Sequence, residues 1–472
     1  MTLFHIKKEA VMNYIENLTT PQIKKIHSGK VRESFRIDPN TRMIVATDRV
    51  SAFDQVLKTP IPGKGAVLNG IASFWFEKTR DIIDNHLIEV IDPNISLVRE
   101  ATPIRIEMIV RAYLTGSMWR NYSKGKREFS GIKVGDNLKK HRRFPELLLT
   151  PTTKEESDRE ISPKEIIDQG WVDADIYEQM ESISLQLFKR AEEYLEKRNL
   201  ILVDTKYEFG LVDDKLVLID EIHTPDSSRF WMADNYNKDP ENAIQMDKEV
   251  VRAYLLQNKV NDHYRDELPQ EIVHEAATRY NQIFEMITGE APSFDISNVK
   301  NRIYQNLVRR ELMKEGYVVI VMGSSADVEH CEKMKKVVEK YDIFSEMRVM
   351  SAHKNGEDII ANMAEYDNSV EPGAVIAVAG LSNGLGGALG ANLSLPVINC
   401  PPFKDQTDIM VNVNSSLMMP SKTPAATVVK PESAALVALR SLNVQRLRDT
   451  FRKEVQEVKS KLREDDKKIR GM

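Results

Sequence analysis

Two groups of residues in this 472-residue chain have types and spacing that could do chemistry. The first is His353 with Lys354, in the run SAHK that follows the apolar stretch MRVM. An imidazole at a strand end, flanked by small Ser351 and Ala352 and by a cation, can move a proton on or off a bound ligand near neutral pH. The second is LVDTKYEFGLVDDKLVLIDEIH, where Lys206 stands among Glu208, Asp220 and other carboxylates. Magnesium bound with ATP takes one or two carboxylates plus phosphate oxygens, and Glu208 and Asp220 are the pair chosen here.

Both groups need elements to position them. Near the carboxyl end an apolar strand runs into a loop of small and polar residues three times: VVIVM into GSSAD (Gly323 to Asp327), MRVM into SAHK, and VIAVAG into LSNGLGG (Leu381 to Gly387). Ligands of open parallel sheets sit outside the carboxyl ends of the strands, so the three loops describe one pocket wall and predict a phosphorylated small-molecule ligand. Ser324 and Ser325, between a strand and a helix, can surround a phosphate with hydroxyl and backbone N–H groups. The pattern predicts a three-layer α/β domain, flavodoxin-like with a parallel sheet, with Asp327 capping its first helix.

The acidic group is expected on a hairpin, Val203 to Val212 and Lys215 to Ile222, turning at Asp213 and Asp214. A regular two-residue turn sets Glu208 opposite Ile219, so the choice of Asp220 predicts a bulge at Gly210. Upstream, SGKVRE places Gly29 and Lys30 between the short β-like runs IKKIH and SFRI, a hairpin able to fold over nucleotide phosphates. No G-x-x-x-x-G-K-[ST] occurs, which excludes a P-loop. Further strands are expected at MIVATD, TPIRIEMIV and KLVLIDEI, with helices over Gly70 to Ile83 and Asp175 to Arg198, an α+β pattern. From about Met246 amphipathic helices are expected to pack back on this first domain. Thr288 to Val299 reads as a linker, followed by a charged helix over Lys300 to Lys314. The domains expected are 1–289, a linker 290–315, and 316–472, whose tail after Asn443 is a charged helix.

Composition narrows the partners. Sixty-six Lys and Arg against 71 Asp and Glu give a net charge of −5, with no basic excess to mark a nucleic-acid binder. Cys331 and Cys400 are the only cysteines, too few for a disulfide framework or a four-cysteine zinc site and suited to a reducing cytoplasm. The start MTLFHIKKEAVMNY has charges where a signal peptide needs an apolar core. Pro372 to Phe403 is uncharged and long enough to span a bilayer, but its glycines and asparagines fit a strand-loop-helix unit, so no membrane partner is expected.

GSSAD, SAHK, AGLSNGLGG and LPVINCPP together resemble aminoimidazole ribonucleotide (AIR) carboxylase of the animal type, over Gly316 to Leu442. The bacterial mutase type would show SAHR and an AGGAAHLPG-like loop in those places. The resemblance implies that carbon dioxide is used directly on AIR, without ATP or biotin, and no flavin is expected. It implies AIR binding by Gly323, Ser324, Ser325, Asp327 and Ser351. The imidazole carbon of AIR is an enamine-like nucleophile, so the site must hold carbon dioxide, stabilise a carboxylate and remove one proton. Lys354 and the Ser382, Asn383 and Gly384 loop can serve the first two tasks and His353 the third. Leu381 stands where vertebrate members are expected to carry arginine, so that position is not essential to the chemistry.

SGKVRE, TDRVSAFD, IPGKGAVLN, VRAYLTGS, LLTPTTK, VDTKYEFG and DEIHTPDSSRFW resemble SAICAR synthetase, from about Lys24 to Gly289. That family has a kinase- and ATP-grasp-like fold and joins L-aspartate to carboxyaminoimidazole ribonucleotide (CAIR) at the expense of ATP. Carried over, Lys30 and Lys206 contact ATP phosphates, Glu107 and Met108 lie near the adenine, and Glu208 and Asp220 hold Mg2+. Arg111, Ser117 and Arg229 hold the ribonucleotide's phosphate and carboxylate, with Asp204 in the same pocket. Ser157-Asp158 stands where the family commonly has His-Asp, so no role is assigned there.

The resulting expectation is a bifunctional enzyme of purine biosynthesis, cytoplasmic and homo-octameric through its carboxyl-terminal domain. The competing readings are a kinase-like phosphotransferase fused to a flavodoxin-like nucleotide-binding domain, which would transfer phosphate to a hydroxyl with no aspartate dependence, and a non-catalytic scaffold.

Overall fold

A computed structural model describes residues 14–471 except 54, 156, 157 and 404. The charged amino-terminal stretch, apart from Tyr14, and the Ser157 departure therefore lie outside the described residues. The chain divides into two compact units: residues 14–17 with 25–303, and residues 18–24 with 304–471.

Besides two two-stranded ribbons, the first unit holds two larger antiparallel sheets among the described residues. One has five strands in the order Lys25–Ser28, Arg32–Arg36, Thr41–Ala46, Ile95–Arg99, Leu87–Asp92. The other is built on two long strands, Thr102–Tyr113 and Leu200–Val212, flanked by Arg143–Leu149 and Lys215–Ile219, with Thr152–Thr153 and Ser228–Met232 attached. Residues alternate faces along a strand. Val203, Tyr207 and Phe209 of the second long strand enter the hydrophobic core, while Asp204, Lys206 and Glu208 share the opposite face. The helix Gln270–Thr288 buries Val273, Ala276, Tyr280, Ile283 and Ile287 in that same core; Ala276, Tyr280 and Ile287 lie on its expected apolar spacing, while Ile272 and Phe284 of that spacing are only partly buried.

Several boundaries differ from expectation. The helix expected from Gly70 starts at Lys64 and ends at Lys78, because Gly63 with φ 80° supplies the turn that begins it. The helix expected to reach Lys314 ends at Arg309. The acidic hairpin turns at Asp213 and Asp214, both left-handed (φ 50° and 59°), but it is regular: Glu208 pairs with Ile219 and Gly210 with Val217. The expected bulge is absent from this pairing, and the irregularity at Glu208 to Gly210 falls on the other side, against Thr102–Tyr113.

The second unit carries a five-stranded parallel sheet in the order Phe344–Val349, Tyr317–Met322, Gly373–Val378, Val397–Asn399, Ala426–Thr427. Alternate residues feed two cores: Val318, Ile320 and Met322 pack on one face, Tyr317, Val319 and Val321 on the other. Strands buried on both faces explain the uninterrupted apolar runs in the sequence. Asp327 stands at the start of helix Val328–Lys340, but its side chain makes no capping bond; the hydroxyl of Ser324 accepts from Ala326 N instead. The charged tail forms a helix over Gln445–Ile469. Among the described residues no helix is long and apolar enough to cross a membrane.

Candidate functional site

In the first unit the long strand Leu200–Val212 presents two stations on one face, about 13 Å apart between residues 204 and 208 at the usual rise per strand residue. At the first, Asp204 pairs in register with both Arg111 and Arg229. Its Oδ2 accepts from Arg111 Nη1 at 3.2 Å and from Arg229 Nη1 at 2.5 Å. Arg111 Nε also donates to the Thr150 hydroxyl at 2.9 Å. Gly116, left-handed at φ 58°, lies so near Arg229 that a Cβ there would stand 2.7 Å from the guanidinium.

This station opens on a cavity of about 650 Å³ lined by Ser117, Arg229, Arg120, Lys140, Lys248 and Arg252, with Asp158 and Glu249 as its carboxylates. The N-terminal ends of helices Gly116–Ser123 and Glu249–Gln257 reach its wall. Cations and helix N-termini together make the cavity a site for anions.

At the second station Lys206 Nζ bonds Glu107 Oε1 at 2.9 Å and Glu208 Oε1 at closer range, with Asp220 Oδ2 at 3.9 Å. Lys154 pairs with Glu208, and Arg32 with both Asp220 and Glu221. Four carboxylates thus meet three cations, with Glu208 and Asp220 both facing Lys206. Burial, then the charge of Asp220, pushes Glu208 above the ordinary carboxylate range. Burial works on Asp220 in the same direction, but Arg32, Lys206 and Lys154 outweigh it and hold that carboxyl low. Lys206 is held protonated: burial opposes its charge, and Glu208, Asp220 and Glu107 overcome that.

Asp220, left-handed at φ 64° just past the strand end, comes to Lys206 on the side of Glu208. Below it, fully buried His223 takes up the Tyr207 hydroxyl at 2.6 Å and stands edge-on to Trp75, fixing the segment under the site. An excess of carboxylate over cation, with two carboxyls facing one ammonium, fits a divalent cation, although no group of three or more acidic, His or Cys ligands occurs among the described residues. Lys30 lies exposed in the turn joining Lys25–Ser28 to Arg32–Arg36. Met108 pairs with Tyr207 and its side chain packs in the core. No role was expected from the sequence for Arg32, Lys154, Glu221, Lys248 or Arg252; the first three lie inside the family motifs SGKVRE, LLTPTTK and DEIHTPDSSRFW.

In the second unit the strand order reverses between Tyr317–Met322 and Gly373–Val378, and ligands of such sheets bind at that point. The loops there are Gly323–Ser325 and Gly380–Gly384. Gly323 N bonds Val378 O at 2.9 Å, joining the two strand ends. His353 follows the neighbouring strand and packs on Gly384, where a Cβ would stand 2.9 Å from its Cε1 and 3.1 Å from its Nε2. Asn383 caps helix Gly384–Asn392 by accepting from Gly386 N at 2.9 Å, and its amide donates to Ser416. Ser351 is half-buried and bonds Asn355 through its N–H, while Ser324, Ser325, His353, Lys354 and Ser382 are exposed. The polar residues chosen from the three loops therefore lie at one end of one sheet.

Fold and site define a two-domain enzyme, an α+β ligase fold joined to a parallel α/β domain. Residues 25–270 match the SAICAR synthetase family and residues 317–465 the AIR carboxylase family. A phosphoribosylaminoimidazole-succinocarboxamide synthase of Legionella pneumophila (strain Paris) is 42% identical over 303 residues, covering 60% of this chain and 95% of its own length. One from Bacteroides thetaiotaomicron is 42% identical over 298 residues, covering 61% and 95%. The solved structure of SAICAR synthase from Saccharomyces cerevisiae, complexed with SAICAR, aligns with a TM-score of 0.55 and 32% identity over 59% of this chain and 100% of its own.

The chain belongs to the SAICAR synthetase family and carries an AIR carboxylase domain after it. It is a bifunctional enzyme of purine biosynthesis, a ligase and a lyase in one chain, and the kinase-like alternative is not favoured. Membership of the synthetase family implies the use of ATP.

Proposed function

We propose that the carboxyl-terminal unit adds carbon dioxide directly to AIR and that the amino-terminal unit joins L-aspartate to the product, CAIR, giving SAICAR, ADP and phosphate. The observation that carries the second half is the shared face of Leu200–Val212, which aligns an anion-holding station at Asp204 with a phosphate-and-metal station at Glu208.

For carboxylation, Gly323, Ser324, Ser325, Asp327 and Ser351 hold AIR. A carbon–carbon bond forms between the imidazole carbon and carbon dioxide, and the proton on that carbon passes to His353. Lys354 and the Ser382–Gly384 loop stabilise the new carboxylate. The step requires no ATP, biotin or flavin. The capped start of the helix at Asn383 and Gly384 supports that role for the loop.

For ligation, Arg111, Ser117 and Arg229 hold CAIR with Asp204, and Lys30 and Lys206 hold the ATP phosphates, with Glu107 and the backbone at Met108 near the adenine. A carboxylate is a poor electrophile. CAIR's carboxylate oxygen therefore takes the γ-phosphoryl group, releasing ADP, and the aspartate amine then displaces phosphate from the acyl phosphate. Glu208 and Asp220 would hold Mg2+, which supplies charge neutralisation for the transferring phosphoryl group. The lysines and arginines of both stations hold the reacting oxygens in line and exclude water.

The proposed assembly is a homo-octamer centred on the carboxyl-terminal units, in the cytoplasm, with no membrane or nucleic-acid partner. Exposed Met410, Val411, Leu417 and Met418, with Leu381 nearby in the loop bonded to Asn412, give the apolar surface a second copy would cover. Sedimentation equilibrium tests it, and a monomer would refute it.

The deciding experiment supplies AIR and bicarbonate first, then ATP, Mg2+ and aspartate. CAIR is expected before ATP is added and SAICAR only afterwards; ATP dependence of the first step would overturn the direct use of carbon dioxide.

A further inference from the structure

Apart from the exposed Arg120 and Lys140, the basic cavity holds a buried cation that its surroundings leave partly uncompensated. Lys248 lines it at the start of helix Glu249–Gln257, with its side chain only 12% exposed. Among the described residues the carboxylate within 4 Å of its ammonium is Asp226, at 3.8 Å. Asp226 is already engaged. Lys64, 0% exposed, lies 2.8 Å from its Oδ2, and the Tyr280 hydroxyl donates to its Oδ1 at 3.0 Å.

Within 4 Å one carboxylate therefore serves two buried ammoniums, with Asp48 near Lys64 and Glu221 near Lys248 at longer range. Both sit at helix starts, Lys64 at that of Lys64–Lys78, where the backbone dipole opposes a cation. The neighbouring guanidiniums have partners of their own, Arg229 with Asp204 and Arg252 with Glu249 at 3.6 Å. Burying charge without full compensation is costly, and an anion entering the cavity would complete the set.

We propose that Lys248 is a carboxylate-binding residue of the synthetase centre, and that Lys64 is a positioning residue that occupies Asp226 and so keeps Lys248 available to the ligand. Without Lys64, Asp226 is free to close on Lys248 as a one-to-one pair, and the cavity loses its surplus positive charge. This deepens the synthetase reading and rests on it; the carboxylate is that of aspartate or that of CAIR. Burial also holds Lys248 below the ordinary lysine range, with Arg252 and Lys64 acting in the same direction and Asp226 and Glu221 opposing.

Steady-state kinetics of the full chain with ATP, Mg2+, CAIR and aspartate test it. Lys248→Met is expected to raise the KM of one carboxylate substrate about tenfold or more, leaving the other within about twofold, and the one that moves identifies the ligand. Lys248→Arg is charged at every accessible pH. It is expected to restore that KM and to remove its rise on the alkaline side, because the wild-type ammonium deprotonates earlier than an ordinary lysine. Lys64→Met is expected to raise the same KM, with an unchanged KM for ATP in the same unit as the check on folding.

Unchanged KM values in Lys248→Met, or an alkaline profile in Lys248→Arg identical to wild type, overturn the role of Lys248. A wild-type KM in Lys64→Met overturns the positioning role. Absence of aspartate-dependent turnover in the wild-type chain would instead overturn the synthetase reading.

Discussion

Glu208 pairs across its hairpin with Ile219, yet Asp220, the residue after Ile219 and left-handed at φ 64°, faces the same ammonium: Lys206 Nζ bonds Glu208 and lies 3.9 Å from Asp220 Oδ2. Aspartate and asparagine tolerate that conformation better than branched residues. Asp220→Asn is therefore expected to keep the turn while lowering aspartate-dependent ATP turnover at least about 100-fold, with carboxylation of AIR unchanged. Asp220→Val is expected to be less stable than Asp220→Asn by about 1–2 kcal/mol, read as a lower Tm. Equal stability of the two variants would remove the backbone argument.

The pair also sets a pH dependence. Burial and the charge of Asp220 raise Glu208, so it takes up a proton at higher pH than an ordinary glutamate near 4.3. Only the ionised carboxylate can hold a metal. The half-saturating Mg2+ concentration for nucleotide binding is expected to rise as pH falls through that raised value, by up to about tenfold per pH unit. Mg2+ titrations of bound nucleotide between neutral and mildly acid pH check this. Glu208→Gln should bind Mg2+ weakly with little pH dependence, and a mutant that kept the wild-type slope would assign the titration to another group.

The hairpin itself was legible: alternation placed the strands, and adjacent Asp213 and Asp214 marked a two-residue turn that both residues enter with positive φ. The route by which Asp220 comes to Lys206 on the side of Glu208 was not. A bulge at Gly210 was the alternative that sequence spacing offered, whereas a single left-handed aspartate leaves no periodic trace. The three strand-end loops were legible because strands buried on both faces read as apolar runs ending abruptly in small residues. Lys248 and Arg252 were hidden for a different reason. They lie among the apolar positions of an amphipathic helix, and helical spacing does not say which polar face meets a cavity and which meets water.

Gly384 offers a test that separates the two centres. It begins helix Gly384–Asn392, where alanine suits the backbone, but an added Cβ would stand 2.9 Å from His353 Cε1. The imidazole must move to admit it. Gly384→Ala is expected to lower carboxylation of AIR at least about tenfold, with little change in Tm and with ligation of supplied CAIR unaffected. His353→Asn is expected to abolish carboxylation alone. Wild-type carboxylation in Gly384→Ala would show that the proton is handled elsewhere.

Asp204 is the shared carboxylate between two arginines, 3.2 Å from Arg111 and 2.5 Å from Arg229. Its removal leaves both guanidiniums without that charge at a buried site, and breaking a buried pair from one side costs about 3–5 kcal/mol. Asp204→Asn should therefore melt well below wild type in phosphate-free buffer. The same argument gives the sign of a ligand effect: an anion entering the station compensates the arginines in the mutant, whereas Asp204 opposes it in wild type. Inorganic phosphate is expected to recover part of the mutant's lost Tm and to raise that of wild type less. Thermal melts over a phosphate series decide it. Equal shifts in both proteins would mean that the arginines face their carboxylate alone and that the ribonucleotide's phosphate binds elsewhere in the cavity.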